Sequence, residues 1–128
     1  MKGFITLGLV ALLGAAAYAE DPTSQFQSFC QDWMQKLEAR EQNNVTHIQW
    51  QTDSAGVTGD YTGYYTHEHT CTVKSGTAAV PVGKITYREI RYEKHGGNVA
   101  EAEHSPARAV EATDVTEIFR YDKGKWIY

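Results

Sequence analysis

The chain has 128 residues, with 12 Lys and Arg against 16 Asp and Glu, and a formal net charge of −4 at pH 7. This length suits one domain with a modest core, and the mildly acidic balance argues against nucleic acid and anionic membrane surfaces as partners. The sequence shows no glycine-rich phosphate loop, no serine nucleophile elbow and no C-x-x-C redox pair, so no known catalytic set is assembled and no cofactor is indicated.

Residues 1–19 have the pattern of a secretory signal peptide. Lys2 supplies the positive start, residues 4–16 form an apolar run, and residues 17–19 form an A-x-A cleavage site. A membrane-anchoring helix is the alternative, but the run is shorter than the roughly 20 residues that span a bilayer. We therefore expect residues 20–128 to be a single domain, secreted or periplasmic, with no membrane attachment after cleavage.

A helix is predicted to begin near Asp21. Either Asp21 caps it with Pro22 in the first turn, or Ser24 and Gln27 form a capping box. The helix is expected to stop near residues 43–44, where two asparagines compete for backbone hydrogen bonds. Its apolar residues fall on one stripe, which favours a core face over a ligand site. They are Phe26, Phe29, Cys30, Trp33 and Leu37.

After residue 44 the period of the apolar pattern changes from 3.6 to 2, which predicts strands. The predicted strands span residues 46–52, 57–73, 84–93, 109–121 and 125–128, and residues 94–106 are predicted to be a polar loop. Gly59 and Gly63 inside the second strand suggest a bulge or bend. One helix followed by four or five antiparallel strands indicates an α+β layer in which the helix covers the apolar face of the sheet.

Cys30 and Cys71 are the two cysteines of the chain. Export to an oxidising compartment favours a disulfide between them. This bond would close a loop of about 41 residues, worth roughly 4 kcal/mol, and would fasten the helix stripe to the second strand. Two free thiols or a metal-ligand pair are the alternatives.

The order of elements resembles the cystatin-like group of folds, in which one helix lies across a curled antiparallel sheet. The ending with Asp122, Gly124 and Trp126 is similar to the final hairpin of many small domains related to nuclear transport factor 2. The resemblance implies an α+β fold with one N-terminal helix packed on a curled antiparallel sheet of four to five strands. Protease inhibition is not carried over from this resemblance, since the sequence has no match to the inhibitory Q-x-V-x-G segment. Isomerase or dehydratase chemistry is not carried over either, since the sequence has one clear helix where the nuclear transport factor 2 group typically has more.

The second strand carries the candidate site. If no bulge intervenes, Tyr61, Tyr65, His67 and His69 share its helix-facing side with Cys71, and these first four residues are the candidate ligand-binding residues. Two histidines at this spacing can approach one metal ion, but a zinc site needs three or four protein ligands and local spacing supplies no third. His67 and His69 therefore remain candidates for a metal, for acid–base chemistry beside Tyr65, or for plain hydrogen bonding at the sheet rim.

Eight tyrosines and three tryptophans support a further interpretation, an aromatic-lined groove for an apolar or sugar-like ligand. The candidate rings are Tyr61, Tyr64, Tyr65, Tyr87, Tyr92, Tyr121, Trp126 and Tyr128. The third and fourth strands carry apolar residues at both parities. Either a bulge shifts the register, or both faces are partly covered, which would imply a partner or a homodimer.

The expected function is that of a small exported binding or accessory domain without catalytic activity. It would hold a protein or small-molecule ligand and would exist as a monomer or a homodimer. The alternative is a metal-binding or hydrolytic protein that uses His67 and His69.

The mass of the exported protein tests the processing and the disulfide together. We expect an intact mass that starts at Glu20, is unchanged by thiol alkylation and is about two hydrogens below that of the reduced chain. Protein reduced before alkylation is the control. A chain that keeps residues 1–19, or that takes up two alkyl groups without reduction, would contradict the predicted compartment.

Overall fold

The computed structural model describes residues 21–75 and 80–127. In this part of the chain the elements are α1 (Pro22–Thr46), β1 (Gln51–Asp53), β2 (Gly56–Lys74), β3 (Val82–Gly96), α2 (Val99–His104), β4 (Arg108–Asp122) and β5 (Lys125–Ile127). The strands form one antiparallel sheet in the order β1-β2-β3-β4-β5, so each strand pairs with the next. The predicted α+β class, with a long N-terminal helix packed on a curled antiparallel sheet, is confirmed. The predicted signal peptide, at residues 1–19, and Tyr128 lie outside the described residues.

The start of α1 follows the first of the two capping alternatives. Asp21 is the N-cap, its Oδ1 accepts a hydrogen bond from the backbone N–H of Ser24 at 3.0 Å, and Pro22 lies in the first turn. The helix ends at Thr46, slightly beyond the predicted stop, because the side chain of Asn44 donates to the Thr62 carbonyl instead of competing with the helix backbone. Neither α1 nor α2, the helices within the described ranges, has the length and apolar character needed to cross a membrane.

The apolar stripe of α1 packs against the sheet and forms the main core. Phe26 is fully buried, and its ring centroid lies 4.6 Å from that of Trp126 and 6.1 Å from that of Phe119. Each fully buried side chain of this size stabilises the fold by roughly 1.5–3 kcal/mol. The indole N–H of Trp126 also donates to the Pro22 carbonyl at 2.9 Å, which ties the C-terminal hairpin to the first turn of the helix. The buried residues of the main core are Phe26, Cys30, Met34, Leu37, Ile85, Tyr87, Phe119 and Trp126.

The predicted disulfide joins Cys30 on α1 to Cys71 on β2, across a Cα–Cα distance of 6.4 Å. Cys30 is buried in the main core, and Cys71 is partly buried against it. The bond therefore crosslinks the two layers of the fold at the point where the helix meets the sheet.

The buried face of the sheet changes along β3. Ile85 and Tyr87 are buried at odd positions, whereas Ile90 is buried at an even one. Both of the alternatives for the third and fourth strands therefore hold: the strand registers shift between Tyr65 and Thr70 and between Arg91 and Tyr92, and both faces are partly covered.

Residues of this same chain cover part of the second face of the sheet. The side chains of Ile48 and Trp50 lie against Gly59 on β2, so closely that a Cβ at that glycine would collide with both. Gly96 lies in the same way against Ala102, which is fully buried. Apolar residues at both parities therefore do not require a partner or a dimer.

The predicted polar loop at residues 94–106 is wrong in two respects, because residues 94–96 belong to β3 and residues 99–104 form α2. Asn98 caps this helix by accepting from the Glu101 N–H at 2.9 Å, and Glu101 reaches back to accept from the Gly97 N–H at 2.9 Å. Asn98 and Glu101 thus act together in the manner of a capping box.

The second half of α1 closes an edge of the sheet. Since β1 pairs only with residues 56–58, the rest of β2 has no neighbouring strand on that side among residues 21–75 and 80–127. Glu41 Oε1 accepts from the Tyr64 N–H at 2.7 Å, and Asn44 Nδ2 donates to the Thr62 carbonyl at 2.9 Å. These side chains satisfy edge groups that a strand would otherwise pair.

Replacement of Glu41 tests this edge contact. We expect Glu41→Ala to lower the free energy of unfolding by about 1–3 kcal/mol, because a partly buried backbone N–H loses its acceptor. Urea denaturation followed by tryptophan fluorescence measures the change. Glu41→Gln, which keeps an acceptor oxygen, should lose less, and Gln42→Ala on the exposed side of the same turn should be near neutral. Equal losses for Glu41→Ala and Gln42→Ala would contradict the edge contact.

Candidate functional site

The four side chains predicted to bind a ligand lie in three different surroundings. Tyr61 stacks on Tyr92, with ring centroids 5.2 Å apart. Tyr65 is half-exposed and meets His67 edge to face, with centroids 5.9 Å apart. His69 lies beside the disulfide. The structure thus brings Tyr65 and His67 together, and a ligand-binding role for all four residues stays a prediction.

Tyr61 on β2 and Tyr92 on β3 form a stacked aromatic pair near Glu41 of α1. Burial raises the pKa of both phenols, and the Glu41 carboxylate nearby raises the pKa further. Both hydroxyls therefore carry their protons well above neutral pH. They can donate hydrogen bonds to a ligand, but they are poor bases.

Tyr87 is bonded to a charged partner at the margin of the main core. Its hydroxyl donates to Glu117 Oε1 at 3.1 Å. Burial, helped by the charge and the hydrogen bond of Glu117, raises the pKa of Tyr87 to about 12. This tyrosine, one of the candidate groove rings, is occupied in holding β3 to β4.

A cluster of three potential metal ligands surrounds the disulfide. One ligand atom from each of Cys30, His69 and Cys71 lies within 4.8 Å of the other two. The cluster contains His69 and not His67. While the sulfur atoms are bonded to each other they are not thiolates, the form in which cysteine binds metal.

A groove on the opposite face of the sheet has no counterpart among the sequence-predicted sites. It has a volume of about 630 Å³ and lies where β2, β3 and β4 run side by side. Its floor is apolar: Ile118 is 61% exposed, Val80 58% and Val82 40%. The described residues that line it are Thr72, Val73, Lys74, Ser75, Val80, Val82, Lys84 and Ile118.

Strand pairing sets these side chains in two neighbouring rows across the sheet. One row is Thr72, Lys84 and Ile118, and the other is Lys74, Val82, Arg120 and Ile127. A smaller hollow of about 270 Å³ continues the groove past Val82 and Ile118 to Arg120 and Ile127. Apolar and cationic side chains therefore alternate along and across the strands.

The three cations of these rows, Lys74, Lys84 and Arg120, make no ion pair with any carboxylate of residues 21–75 and 80–127. The other arginines of the sheet are paired. These pairs are Arg88 with Asp114, Arg91 with Asp60 and Glu111, and Arg108 with Glu93. In a chain with a net charge of −4, the groove is thus a local positive region around an apolar floor.

The sequence analysis did not predict this groove, although the sequence contains a pattern that is typical of it. Val82 and Lys84 on β3, and Ile118 and Arg120 on β4, repeat one pattern, an apolar residue followed two positions later by a cation. The pattern places both residue types on one face of a strand. It does not tell which face the helix leaves open.

Comparisons of the chain with protein-family models, with curated proteins and with solved structures found no match. The order of elements in the described part, a helix and then a curled antiparallel sheet of five strands, is consistent with the cystatin-like and nuclear transport factor 2-like topology.

The raised pKa of Tyr87 predicts a loss of stability in alkali. Because the folded-state pKa of about 12 exceeds the ordinary value of 10.0, the protonated phenol stabilises the fold fully below pH 10, and this contribution is lost as the pH rises from 10 towards 12. The midpoint of urea denaturation should therefore fall over that range. In Tyr87→Phe this midpoint should fall less steeply with pH. Part of the fall should remain, because Tyr61 and Tyr92 also have raised pKa values. A variant that keeps the full slope of the parent would contradict the assignment to Tyr87.

Proposed function

We propose that this protein is a non-catalytic binding module that holds a small amphipathic anion in the groove on the outer face of the sheet. The ligand would have an apolar body and one carboxylate or phosphate group. The observation that carries the proposal is the alternation of exposed apolar side chains with cations that have no ion-pair partner in the described residues.

The apolar floor supports an apolar body as the main source of affinity. The groove volume of about 630 Å³ lies within the range of small-molecule sites, roughly 300–1,000 Å³. Removing the exposed surfaces of Val80, Val82 and Ile118 from water gains roughly 25 cal/mol for each Å² of apolar area. A purely charged ligand would leave this floor wet and would forgo that gain.

The cations support a negative charge at the ligand's end. Exposed ion pairs contribute only about 0–1 kcal/mol each, so Lys74, Lys84 and Arg120 would orient the ligand and select its charge more than they would tighten binding. Salt would weaken this selection, because exposed charges are screened.

A location outside the cytoplasm is consistent with a binding module of this kind. The Cys30–Cys71 disulfide favours an oxidising, extracytoplasmic location, either periplasmic or secreted. The signal-peptide pattern of residues 1–19 supplies the route. A cystatin-like scaffold, with one face of its sheet under the helix and the opposite face partly open, offers the surface for the ligand.

Titration calorimetry with three matched probes tests the proposal. Decanoate has both tail and charge, decanol has the tail alone, and acetate has the charge alone. We expect the protein to bind decanoate more tightly than either of the others. Lys84→Gln should weaken decanoate binding by about 2- to 5-fold, the equivalent of one exposed ion pair, without affecting decanol.

Two further variants complete that test. Ile118→Ser, which removes apolar floor, should weaken decanoate and decanol alike. Lys36→Gln, an exposed lysine of α1 away from the groove, is the matched control and should leave decanoate affinity unchanged. Binding of decanoate that survives Lys84→Gln and Ile118→Ser at parental affinity, or the absence of any binding by the parent, would overturn the proposal.

A further inference from the structure

The cluster at the disulfide carries an inference that is independent of the groove. We propose that reduction of the Cys30–Cys71 disulfide opens a metal site in which both thiolates and the imidazole of His69 bind one soft cation such as Zn²⁺. The ligand atoms of the three residues already lie within 4.8 Å of one another. In a tetrahedral zinc site, with bonds of about 2.0–2.3 Å, ligand atoms lie roughly 3.3–3.8 Å apart, so the opened sulfurs and the imidazole need only small movements.

The hydrogen bond of His69 sets the tautomer in which Nε2 can bind a metal. Its Nδ1 is hydrogen-bonded to the backbone carbonyl of Thr66. A carbonyl only accepts, so Nδ1 carries a proton, and Nε2 is the nitrogen whose lone pair can bind a metal. A hydrogen bond from the second ring nitrogen to a carbonyl is the usual support of a metal-binding histidine, because it sets the tautomer and the ring orientation.

The donor set selects the metal. Two thiolates and one imidazole suit Zn²⁺ and Cu⁺, and they discriminate against Mg²⁺ and Ca²⁺, which prefer oxygen ligands. Three protein ligands leave the fourth position of a tetrahedral ion open. The cluster also has an entry path, since Cys30 is buried but Cys71 is partly exposed and His69 is exposed.

The reaction balances with a dithiol as the reductant. The Cys30–Cys71 S–S bond breaks, the two cysteines take up two electrons and two protons, and the dithiol closes into its own disulfide. The metal ion then replaces the two thiol protons, which pass to solvent. In the reverse exchange, the oxidised form of that dithiol takes back the two electrons and picks up two protons from solvent, the ion is released, and the Cys30–Cys71 bond is restored. The same two cysteines would thus serve alternately as a covalent and as a metal-bridged link between α1 and β2.

Cobalt binding to the exported protein tests the inference, because thiolate–Co²⁺ charge-transfer bands count the sulfur ligands. The disulfide is reduced with a phosphine, which does not compete as a thiolate, and Zn²⁺ then displaces the Co²⁺. We expect one ion per reduced chain and none per oxidised chain. His69→Ala should weaken binding at least about 10-fold. His67→Ala is the matched control, two residues away on the same strand and outside the cluster, and should stay within about twofold of the parent.

The near-ultraviolet circular dichroism of the same samples reports the fold. The site is supported if the reduced parent shows the native spectrum when the metal is bound. It is supported further if a spectrum lost on reduction is restored by the metal in the parent but not in His69→Ala. Parental affinity and spectrum in His69→Ala would overturn it, because the cysteines alone would then hold the ion. Equal Co²⁺ affinity in urea-unfolded chain, or no binding by the reduced parent, would overturn it as well.

Discussion

Cys30 lies in the middle of the apolar stripe of α1 and is bonded to Cys71 on β2. This crosslink fixes the point where the helix crosses the sheet. The two halves of the helix therefore contact different parts of the sheet. On the N-terminal side the rings of Phe26 and Phe29 pack against Phe119, with Phe29 and Phe119 centroids 4.8 Å apart. On the C-terminal side the polar groups of Glu38, Glu41 and Asn44 bond to β2. One helix thus covers a face of the sheet and closes an edge of it.

The same crossing leaves part of the sheet uncovered. The helix α1 packs on one face of the sheet in the region around Ile85, and the groove lies on the opposite face of the same strands. Ile118 and Val82 therefore face outward beside Lys84, and the groove is a consequence of how little one helix can bury.

Local patterns accounted for much of the fold. The stripe from Phe26 to Leu37, the Asp21 cap, the Cys30–Cys71 pair and the meander of strands all follow from periodicity, capping chemistry or compartment. The missed features have two different causes. The helix α2 is short, and its local capping pair, Asn98 and Glu101, stands in a polar run. The groove was hidden because Val82 and Ile118 have the same sequence pattern whether a helix covers them or not.

The irregular stretch of β2 explains why His67 and His69 have different neighbours. Tyr65 pairs with Arg88 and Thr70 with Thr86, so four residues of β2 stand opposite Tyr87 alone. In a regular strand, residues three apart are separated by about 10 Å, too far for the bond between the His69 ring and the Thr66 carbonyl. The bulge shortens that separation and leaves His67 against Tyr65. The bulge therefore separates the two histidines that a regular strand would have paired, while His69, two residues before Cys71, stays beside the disulfide and so also lies near Cys30 of α1.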